Sequence, residues 1–333
     1  MSDAIRVLIV DDSNIMREML KSILGSDPDI EVIGVAKDGF EGVKKAYDLK
    51  PDVITMDFKM PIMSGFEAIE HIMEKSPIPI IMVSSVDVKV IGSALSIGAM
   101  DFVSTTQDID TLSKELIEKI KIAAKVKPLR RMKLKQNQGK ISDEQKSSNK
   151  VIAIGVSTGG PQALQVILSN LPVNLPAGVL IVQHMSAGFI AGLVEWLKAG
   201  AHFDIKIAQE RDVLSNGKIL FAPDDYNLTI DSSYSINLKK ETATSAIHIP
   251  SIDAMMMSVA DSFGVNAIGV LLTGMGNDGV EGMRAIKEVG GITIAQDEKS
   301  SVIFGMNKMA IENGSVDRVI PLEKIAEEIV SLL

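Results

Sequence analysis

The strongest constraint on the fold is a set of short apolar runs that do not alternate with polar residues. Between these runs lie stretches such as NIMREMLKSIL and GFEAIEHIMEK, whose apolar residues recur at the three- and four-residue spacing of one helix face. An apolar run without alternation is typical of a parallel strand that helices cover on both faces. The first series of runs is VLIV (7–10), EVIGVA (31–36), DVITM (52–56), IPIIMVSS (78–85) and DFVS (101–104).

A second series of the same kind begins at residue 151, so the pattern predicts two doubly wound α/β domains with parallel sheets. Its runs are VIAIGVS (151–157), VLIVQH (179–184), IKIAQ (205–209), AIGVLLTG (267–274) and GITIAQD (291–297). Between about 217 and 240 the stretches GKILFAP, NLTIDS and YSINLK indicate short antiparallel strands. We therefore expect a flavodoxin-like domain followed by a Rossmann-like domain with a β-hairpin insertion.

The stretch between the two series is highly polar and has few large apolar residues, which predicts a linker. The expected organisation is a first domain over 1–126, a linker over 127–150 and a second domain over 151–333. A chain of 333 residues is long enough for two domains that each bury a core.

Composition narrows the function. The net charge of −9 disfavours nucleic acid as a partner, because binding to phosphate backbones requires clustered Lys and Arg. The chain has no cysteine, so a nucleophile must be oxygen or nitrogen. No run approaches the roughly 18 apolar residues of a membrane span, and the first residues show no signal region. We expect a cytoplasmic protein that does not insert into a membrane.

Three aspartates come at the ends of two predicted strands of the first domain. Asp11 and Asp12 follow VLIV, and Asp57 follows DVITM. Side chains at the carboxyl ends of parallel strands meet in one crevice, where three carboxylates repel each other unless a cation such as Mg²⁺ is bound. The alternative is that each aspartate caps the next helix.

The first domain resembles the receiver domain of two-component response regulators through IRVLIVDDSNIMREML, PDVITMDFKMPIMSGFEAI, IIMVSS and GAMDFVS. The resemblance implies that Asp57 accepts a phosphoryl group and that Asp11, Asp12 and Asp57 bind Mg²⁺. It also implies that Ser84 is the hydroxyl that turns toward the phosphoryl group and that Phe102 is the coupled aromatic switch. The implied phosphodonor partner is a histidine kinase.

One position departs from the receiver pattern. Receivers carry a lysine at the end of the fifth strand, and DFVSTTQ has Thr105 there. A threonine cannot supply the cation that pairs with phosphoryl oxygens, so we expect phosphoryl transfer to persist and signal transmission to be weakened.

In the second domain, the stretch GVSTGGPQ places Ser157 directly after a strand. It lacks the lysine of a phosphate-binding P-loop and the G-x-G-x-x-G spacing of a dinucleotide site. One interpretation is that Ser157 or Thr158 caps the following helix, with Pro161 in its first turn.

The other interpretation depends on two more strand ends. His184 ends VLIVQH, and Asp278 follows AIGVLLTG in a glycine-rich turn. A serine, a histidine and an aspartate at one sheet edge supply a nucleophile, a general base and a carboxylate that orients the base. The alternatives are a hydrogen-bonded core histidine and an aspartate that caps its own helix. His71, His202 and His248 are interpreted as surface or structural groups.

Glycines near these residues have a predicted role as well. Bare backbone lets main-chain N–H groups approach the oxyanion of a tetrahedral intermediate. The glycines concerned are Gly159, Gly160, Gly274 and Gly276.

Across both domains, the chain resembles the chemotaxis-specific protein-glutamate methylesterases. The residues that carry the resemblance are GVSTGGPQAL, VLIVQHM, LLTGMGNDGVEGM and AQDEKSSVIFGM, placed behind a receiver domain. The family implies Ser157 as nucleophile, His184 as base and Asp278 as orienting carboxylate. It also implies that Thr158 lines the site and that Met275 gives a backbone oxyanion donor.

The implied activity is hydrolysis of glutamate γ-methyl esters on chemoreceptors, with possible glutamine deamidation and no cofactor for the esterase step. It serves chemotactic adaptation, with a chemotaxis histidine kinase as phosphodonor. Two positions depart from the family: Ile249 stands where arginine is expected and Asn307 where proline is expected, which puts substrate docking at that rim in doubt. Two other hypotheses are a non-catalytic response regulator and a nucleotide-dependent oxidoreductase, the latter disfavoured by the absent fingerprint.

Overall fold

In a computed structural model, the chain divides into two compact units, Met1–Lys133 and Leu134–Leu333. The structure describes residues 4–85, 94, 97–106, 108–125, 149–200, 203–240 and 249–333. All but the last two residues of the predicted linker, 127–150, lie outside these ranges. The assignment of that segment as a linker therefore stays a prediction.

The first unit is a five-stranded parallel sheet with strand order 2-1-3-4-5. Its strands are β1 (Ile5–Val10), β2 (Ile30–Ala36), β3 (Val53–Met56), β4 (Ile80–Ser84) and β5 (Asp101–Ser104). Its helices are α1 (Asn14–Gly25), α2 (Gly39–Leu49), α3 (Gly65–Lys75) and α4 (Ile109–Ala123). The order is flavodoxin-like, as predicted, and it brings β1 and β3 side by side.

The second unit is built on a seven-stranded sheet in the order β14-β13-β12-β6-β7-β9-β8. Its strands are β6 (Val151–Val156), β7 (Gly178–Gln183), β8 (Asp204–Ile207), β9 (Lys218–Phe221), β10 (Tyr226–Ile230), β11 (Ile236–Lys240), β12 (Ala267–Leu271), β13 (Ile292–Gln296) and β14 (Arg318–Ile320). Its α-helices are α5 (Gly160–Asn170), α6 (Ile190–Gly200), α7 (Ile252–Phe263), α8 (Val280–Glu288), α9 (Met306–Glu312) and α10 (Leu322–Ser331). A short 3₁₀ turn, Gly264–Asn266, follows α7.

All seven strands pair in parallel, and every residue of the central strands β6, β7 and β12 is buried. This burial explains why these strands are apolar without alternation, because helices cover both faces of the sheet. The fold class is confirmed for both units.

One part of the predicted insertion is wrong. The stretch GKILFAP does not join a hairpin: β9 lies between β7 and β8 in the parallel sheet, with Ile219 paired to both neighbours. The antiparallel hairpin consists of β10 and β11 alone, with Leu228 opposite Leu238. The run ILF in β9 is fully buried, which is the mark of an internal strand rather than of a half-exposed hairpin.

Candidate active site

Ser157 directly follows β6 at the carboxyl edge of the seven-stranded sheet. Its N–H donates to the carbonyl of Thr273 at 3.0 Å, and its own carbonyl accepts the N–H of Gly160 at 2.8 Å. A Cβ at Gly274 would lie 2.6 Å from the Ser157 Cβ, so the backbone approaches the serine closely because residue 274 has no side chain. The backbone of Ser157 is therefore held from both sides.

His184 follows β7, which is the neighbour of β6 in the sheet. Val156 is paired with Gln183, and the N–H of His184 donates to the Val156 carbonyl at 2.9 Å. Ser157 and His184 are the residues that directly follow this pair, so they lie at the same edge of two neighbouring strands. The strand-end rule thus predicts their juxtaposition correctly.

The third predicted residue meets the histidine. Nε2 of His184 lies 2.9 Å from Oδ2 of Asp278, and the two side chains are 12% and 10% exposed. A carboxylate at this distance from a ring nitrogen favours the orientation of the ring in which that nitrogen faces it. The structure therefore places Ser157 and His184 at the same sheet edge, and His184 contacts Asp278 from the turn that follows β12.

The carboxylate of Asp278 is also held by the start of α7. It accepts the Ser251 hydroxyl at 3.0 Å, the Ile252 N–H at 2.7 Å and the Asp253 N–H at 2.9 Å. Burial tends to raise the pKa of Asp278, but the hydrogen bond and charge of His184 and these N–H groups outweigh it and hold the pKa below its usual value. The positive end of the α7 dipole acts in the same direction.

Asp253 returns the interaction. Its Oδ1 accepts the N–H of Gly279 at 2.9 Å and of Gly282 at 2.7 Å, at the start of α8. Asp278, which precedes α8, thus binds the N-terminus of α7. Asp253, which lies in the first turn of α7, binds the N-terminus of α8. Burial raises the pKa of Asp253 to about 6, and the nearby charge of Asp278 adds to the shift.

The capping interpretations of the sequence are wrong. The residue that precedes α5 is Gly159, in the left-handed conformation and without a side-chain cap, so neither Ser157 nor Thr158 caps that helix. Likewise, α8 is preceded by Gly279, and Asp278 binds the start of α7 instead. The side chains of Ser157 and Asp278 are therefore left for other roles.

The predicted oxyanion donors divide into two groups. The N–H groups of Gly160 and Gly274 are taken by the carbonyls of Ser157 and Ile303 and are not available to a ligand. Among the described residues, no hydrogen-bond acceptor is joined to the N–H of Gly159, Met275 or Gly276. Met275 is 46% exposed, and Thr158 is buried, with its carbonyl accepting the Thr273 hydroxyl at 3.0 Å.

The first unit brings its three predicted acids together at the edge where β1 and β3 end. Asp11, Asp12 and Asp57 each offer an oxygen within 4.8 Å of the others. Burial raises the pKa of Asp11 to about 6, and the charges of Asp57 and Asp12 add to it. Burial also raises the pKa of Asp57. Three carboxylates at this spacing are hard oxygen donors, and the raised pKa values of Asp11 and Asp57 disfavour their charged forms without a cation, so the set fits a divalent cation such as Mg²⁺.

The switch residues of the first unit lie on the neighbouring strands. Ser84 ends β4, and its hydroxyl acts to lower the pKa of Asp57 against the effect of burial. Phe102 is buried in β5. Thr105, at the expected lysine position, donates its N–H to the Ser84 carbonyl at 3.2 Å. A positive charge near these acids comes from Arg17. Its guanidinium donates to the Asp11 carbonyl at 2.6 Å and acts to lower the pKa of the Asp11 carboxyl.

The other expectations have mixed outcomes. His71 is exposed, as predicted, whereas His202 and His248 lie outside the described residues. Asn307 is fully buried and donates to the Gln296 carbonyl at 2.8 Å, so it does not form the rim of a docking surface.

Sequence reasoning missed Ser251 and Asp253. Their signal was the pattern S-x-D at a helix start, which is too common to select them.

Comparison with known families gives matches to both units. A family model described as CheB methylesterase matches residues 152–329, and one described as response regulator receiver domain matches residues 7–117. In the described residues, no helix has the length and apolar character needed to cross a membrane.

Several named relatives match over nearly the whole chain. A protein-glutamate methylesterase/protein-glutamine glutaminase of Pyrococcus abyssi is 44% identical over 98% of this chain and 93% of its own. The protein of the same description from Thermotoga maritima is 39% identical over 99% of this chain and 98% of its own. The crystal structure of the Thermotoga maritima CheB methylesterase catalytic domain matches with TM-score 0.54 and 36% identity, covering 56% of this chain and all of that one.

Proposed function

The chain belongs to the CheB methylesterase family, with a response regulator receiver domain ahead of the catalytic unit, and from this premise we propose how it acts. It is a protein-glutamate methylesterase/protein-glutamine glutaminase. The proposed substrates are glutamate γ-methyl esters on chemoreceptors, and the proposed role is chemotactic adaptation in the cytoplasm. The proposed mechanism uses Ser157 as a covalent nucleophile.

In the first half-reaction, the Ser157 oxygen attacks the ester carbonyl while His184 removes the hydroxyl proton. The tetrahedral intermediate collapses with cleavage of the bond to the methoxy group, which takes the proton from the imidazolium and leaves as methanol. The glutamyl group is then an ester of Ser157. In glutamine deamidation the same steps release ammonia.

In the second half-reaction, a water molecule attacks the glutamyl ester and gives its proton to His184. Collapse of this second intermediate returns the proton to the Ser157 oxygen and releases glutamate. The overall reaction consumes one water, and the protein needs no cofactor for it.

The orientation of the imidazole follows from its contact with the carboxylate. Asp278 is 2.9 Å from Nε2, so the proposed neutral ring carries its proton on Nε2, and the proposed acceptor of the Ser157 proton is Nδ1. The lowered pKa of Asp278 keeps it ionised while the imidazolium forms, which stabilises that charge.

The N–H of Met275 is the proposed donor to the oxyanion. In the described part of the chain it has no intramolecular acceptor, and it lies in the turn beside Gly274, which approaches Ser157. The N–H of Gly159, two residues after the serine, likewise has no intramolecular acceptor among the described residues. A preorganised donor of this kind contributes roughly 3 to 4 kcal/mol in other hydrolases.

The receiver is the proposed regulatory part. Asp57 accepts a phosphoryl group from a chemotaxis histidine kinase, and Asp11, Asp12 and Asp57 hold Mg²⁺. A Mg²⁺ ion held there would supply charge neutralisation during transfer to the carboxylate. The raised pKa values of Asp11 and Asp57 support this proposal. Burial and the neighbouring carboxylates disfavour the charged forms of both acids, and a bound cation would offset that effect.

The observation that carries the proposal is the contact of His184 with Asp278 at the strand end next to Ser157. Membranes bearing methyl-labelled chemoreceptors are incubated with the purified chain, and released methanol is counted. We expect release by the wild type and an increase when a small phosphodonor and Mg²⁺ are added.

The matched variants are Ser157→Ala and Ser169→Ala, the second in the last turn of α5. We expect the first to release no methanol above the uncatalysed rate and the second to match the wild type. Methanol release by Ser157→Ala at the wild-type rate would contradict the serine mechanism. A rate that the phosphodonor leaves unchanged would contradict the proposed regulation.

A further inference from the structure

A buried glutamine lies between the proposed nucleophile and the proposed base. Gln183 is the last residue of β7 and is 4% exposed. Its Nε2 donates to the carbonyl of Ser157 at 2.9 Å and to the carbonyl of His184 at 2.8 Å. One side-chain amide is therefore hydrogen-bonded to the backbones of both residues.

The geometry leaves one orientation for this amide. Both neighbours of Nε2 are carbonyl oxygens, which accept and cannot donate, so the NH₂ group must be the one that faces them. The other end, Oε1, is buried and is reached by no donor among the described residues. A buried oxygen without a partner is unfavourable, which indicates that the side chain is kept for its two donated bonds.

The neighbouring turn is shaped around the same side chain. A Cβ at Gly160 would lie 2.1 Å from Oε1 of Gln183, so the first residue of α5 has no room for a side chain. The glycine of the STGG sequence at this position is thus explained by the glutamine that passes beneath it.

We propose that Gln183 is a positioning residue for the esterase reaction: its amide, bonded to the carbonyls of Ser157 and His184, fixes the separation of nucleophile and base. This inference rests on the proposed serine mechanism. Together with the bond from the Ser157 N–H to Thr273, it holds the nucleophile between two strands, β7 on one side and the end of β12 on the other.

Proton transfer from serine to imidazole depends steeply on this separation, because a displacement of about 1 Å lowers rates by about a hundredfold. Gln183 is buried and its amide faces the backbone, so it should affect the chemical step and leave substrate binding unchanged. The two parameters of the reaction separate these effects.

The first variant is Gln183→Met, which keeps length and volume and removes both donated bonds. We expect kcat for methanol release from methyl-labelled receptor membranes to fall by about ten- to a hundredfold. KM should stay within about twofold of the wild type, because substrate contacts are intact.

The second variant is Gln183→Glu, which gives a readout that a merely structural role would not move. A protonated carboxyl can donate to one of the two carbonyls, whereas a carboxylate can donate to neither. We expect the ratio of variant to wild-type kcat to fall as pH rises through the titration of the buried glutamate. The other groups of the site are the same in both proteins, so the ratio isolates the effect of residue 183.

The matched control is Thr293→Val. Thr293 is also fully buried in the sheet, in β13, and its hydroxyl donates to Asp317 at 2.9 Å near the opposite end of the strand. We expect it to lose stability and keep the wild-type kcat. A third variant, Gly160→Ala, displaces the amide while leaving Gln183 in place, and should lower kcat even if Gln183→Met does not fold.

The outcomes separate this inference from the proposed function. A wild-type kcat in Gln183→Met, or in Gly160→Ala where the former does not fold, overturns the positioning role, provided Ser157→Ala is inactive. Turnover by Ser157→Ala overturns the proposed function itself. A pH-independent ratio for Gln183→Glu likewise overturns the positioning role.

Discussion

At the receiver's carboxyl edge, burial and mutual repulsion raise the pKa of Asp11 to about 6, whereas at the esterase edge the pKa of Asp278 is lowered. Both acids are buried at the ends of parallel strands. The difference lies in their neighbours: Asp11 faces two other carboxylates, and Asp278 faces a histidine and a helix N-terminus. The same sheet architecture thus makes two different sites. The receiver site favours an added cation, whereas at the esterase site the negative charge of Asp278 already has partners in the protein.

The largest expected effect is at the esterase site. Asp278→Asn removes the charge that orients and stabilises the imidazolium, and we expect kcat for methanol release to fall by about 10³-fold or more. The control is Asp261→Asn, an exposed acid on the same helix α7 that we expect to be silent. Equal rates of methanol release by Asp278→Asn and Asp261→Asn would show that the charge of Asp278 has no special role at the esterase edge.

A smaller effect is expected at the receiver. Asp57→Asn removes one of three carboxylate ligands, so Mg²⁺ affinity should fall by about tenfold, measured by calorimetry. The phosphodonor should no longer raise methanol release, because the acceptor is gone. Asp110→Asn, an exposed acid in the first turn of α4, serves as the control. Unchanged Mg²⁺ binding in Asp57→Asn would show that the cation site lies elsewhere.

The stability of the protein without Mg²⁺ tests the repulsion directly. The folded pKa of Asp11 is above its unfolded value, so the native state binds the extra proton and the free energy of unfolding falls as pH rises from about 4 to about 6. Asp11→Asn should remove the contribution of Asp11 to this fall, leave those of Asp57 and Asp253, and be more stable than the wild type above pH 6 by about 1 to 2 kcal/mol, after allowance for solvent screening. Denaturant unfolding at several pH values measures the difference, and parallel curves would contradict it.

The smallest effect is expected when a cation is added to the receiver edge. Thr105→Lys places an ammonium group after β5, next to the strand that ends in Ser84, and its positive charge should lower the pKa of Asp57. NMR titration of the aspartate carboxyl carbons measures the shift. Thr106→Lys, one residue further along the chain, is the control. An Asp57 titration curve that does not move would show that the new side chain does not reach the acids.

The sequence is a good guide to both edges because strand ends are a local signal. Asp57 follows an apolar run, as do Ser157 and His184, and the topology of a parallel sheet does the rest. The roles assigned to these residues stay predictions, whereas their placement at the edges is a property of the structure.

What the sequence could not supply depends on contacts between distant residues. The start of α7 binds Asp278 across a separation of 26 residues, and nothing local to Ser251 indicates that partner. The place of β9 in the sheet is also non-local, since an apolar run of four residues does not state its neighbours. The three-residue strand β14 was missed because it is too short to show a period.

Asp278 accepts hydrogen bonds from the start of α7, and Asp253 accepts them from the start of α8. These reciprocal bonds link the ends of two helices to the proton transfer at His184. Because α7 donates its first N–H groups to the carboxylate behind the histidine, fraying of that helix terminus would release the imidazole before the sheet unfolds. Loss of catalysis on warming should then precede loss of the sheet's amide protection, so turnover reports on the integrity of a single helical turn.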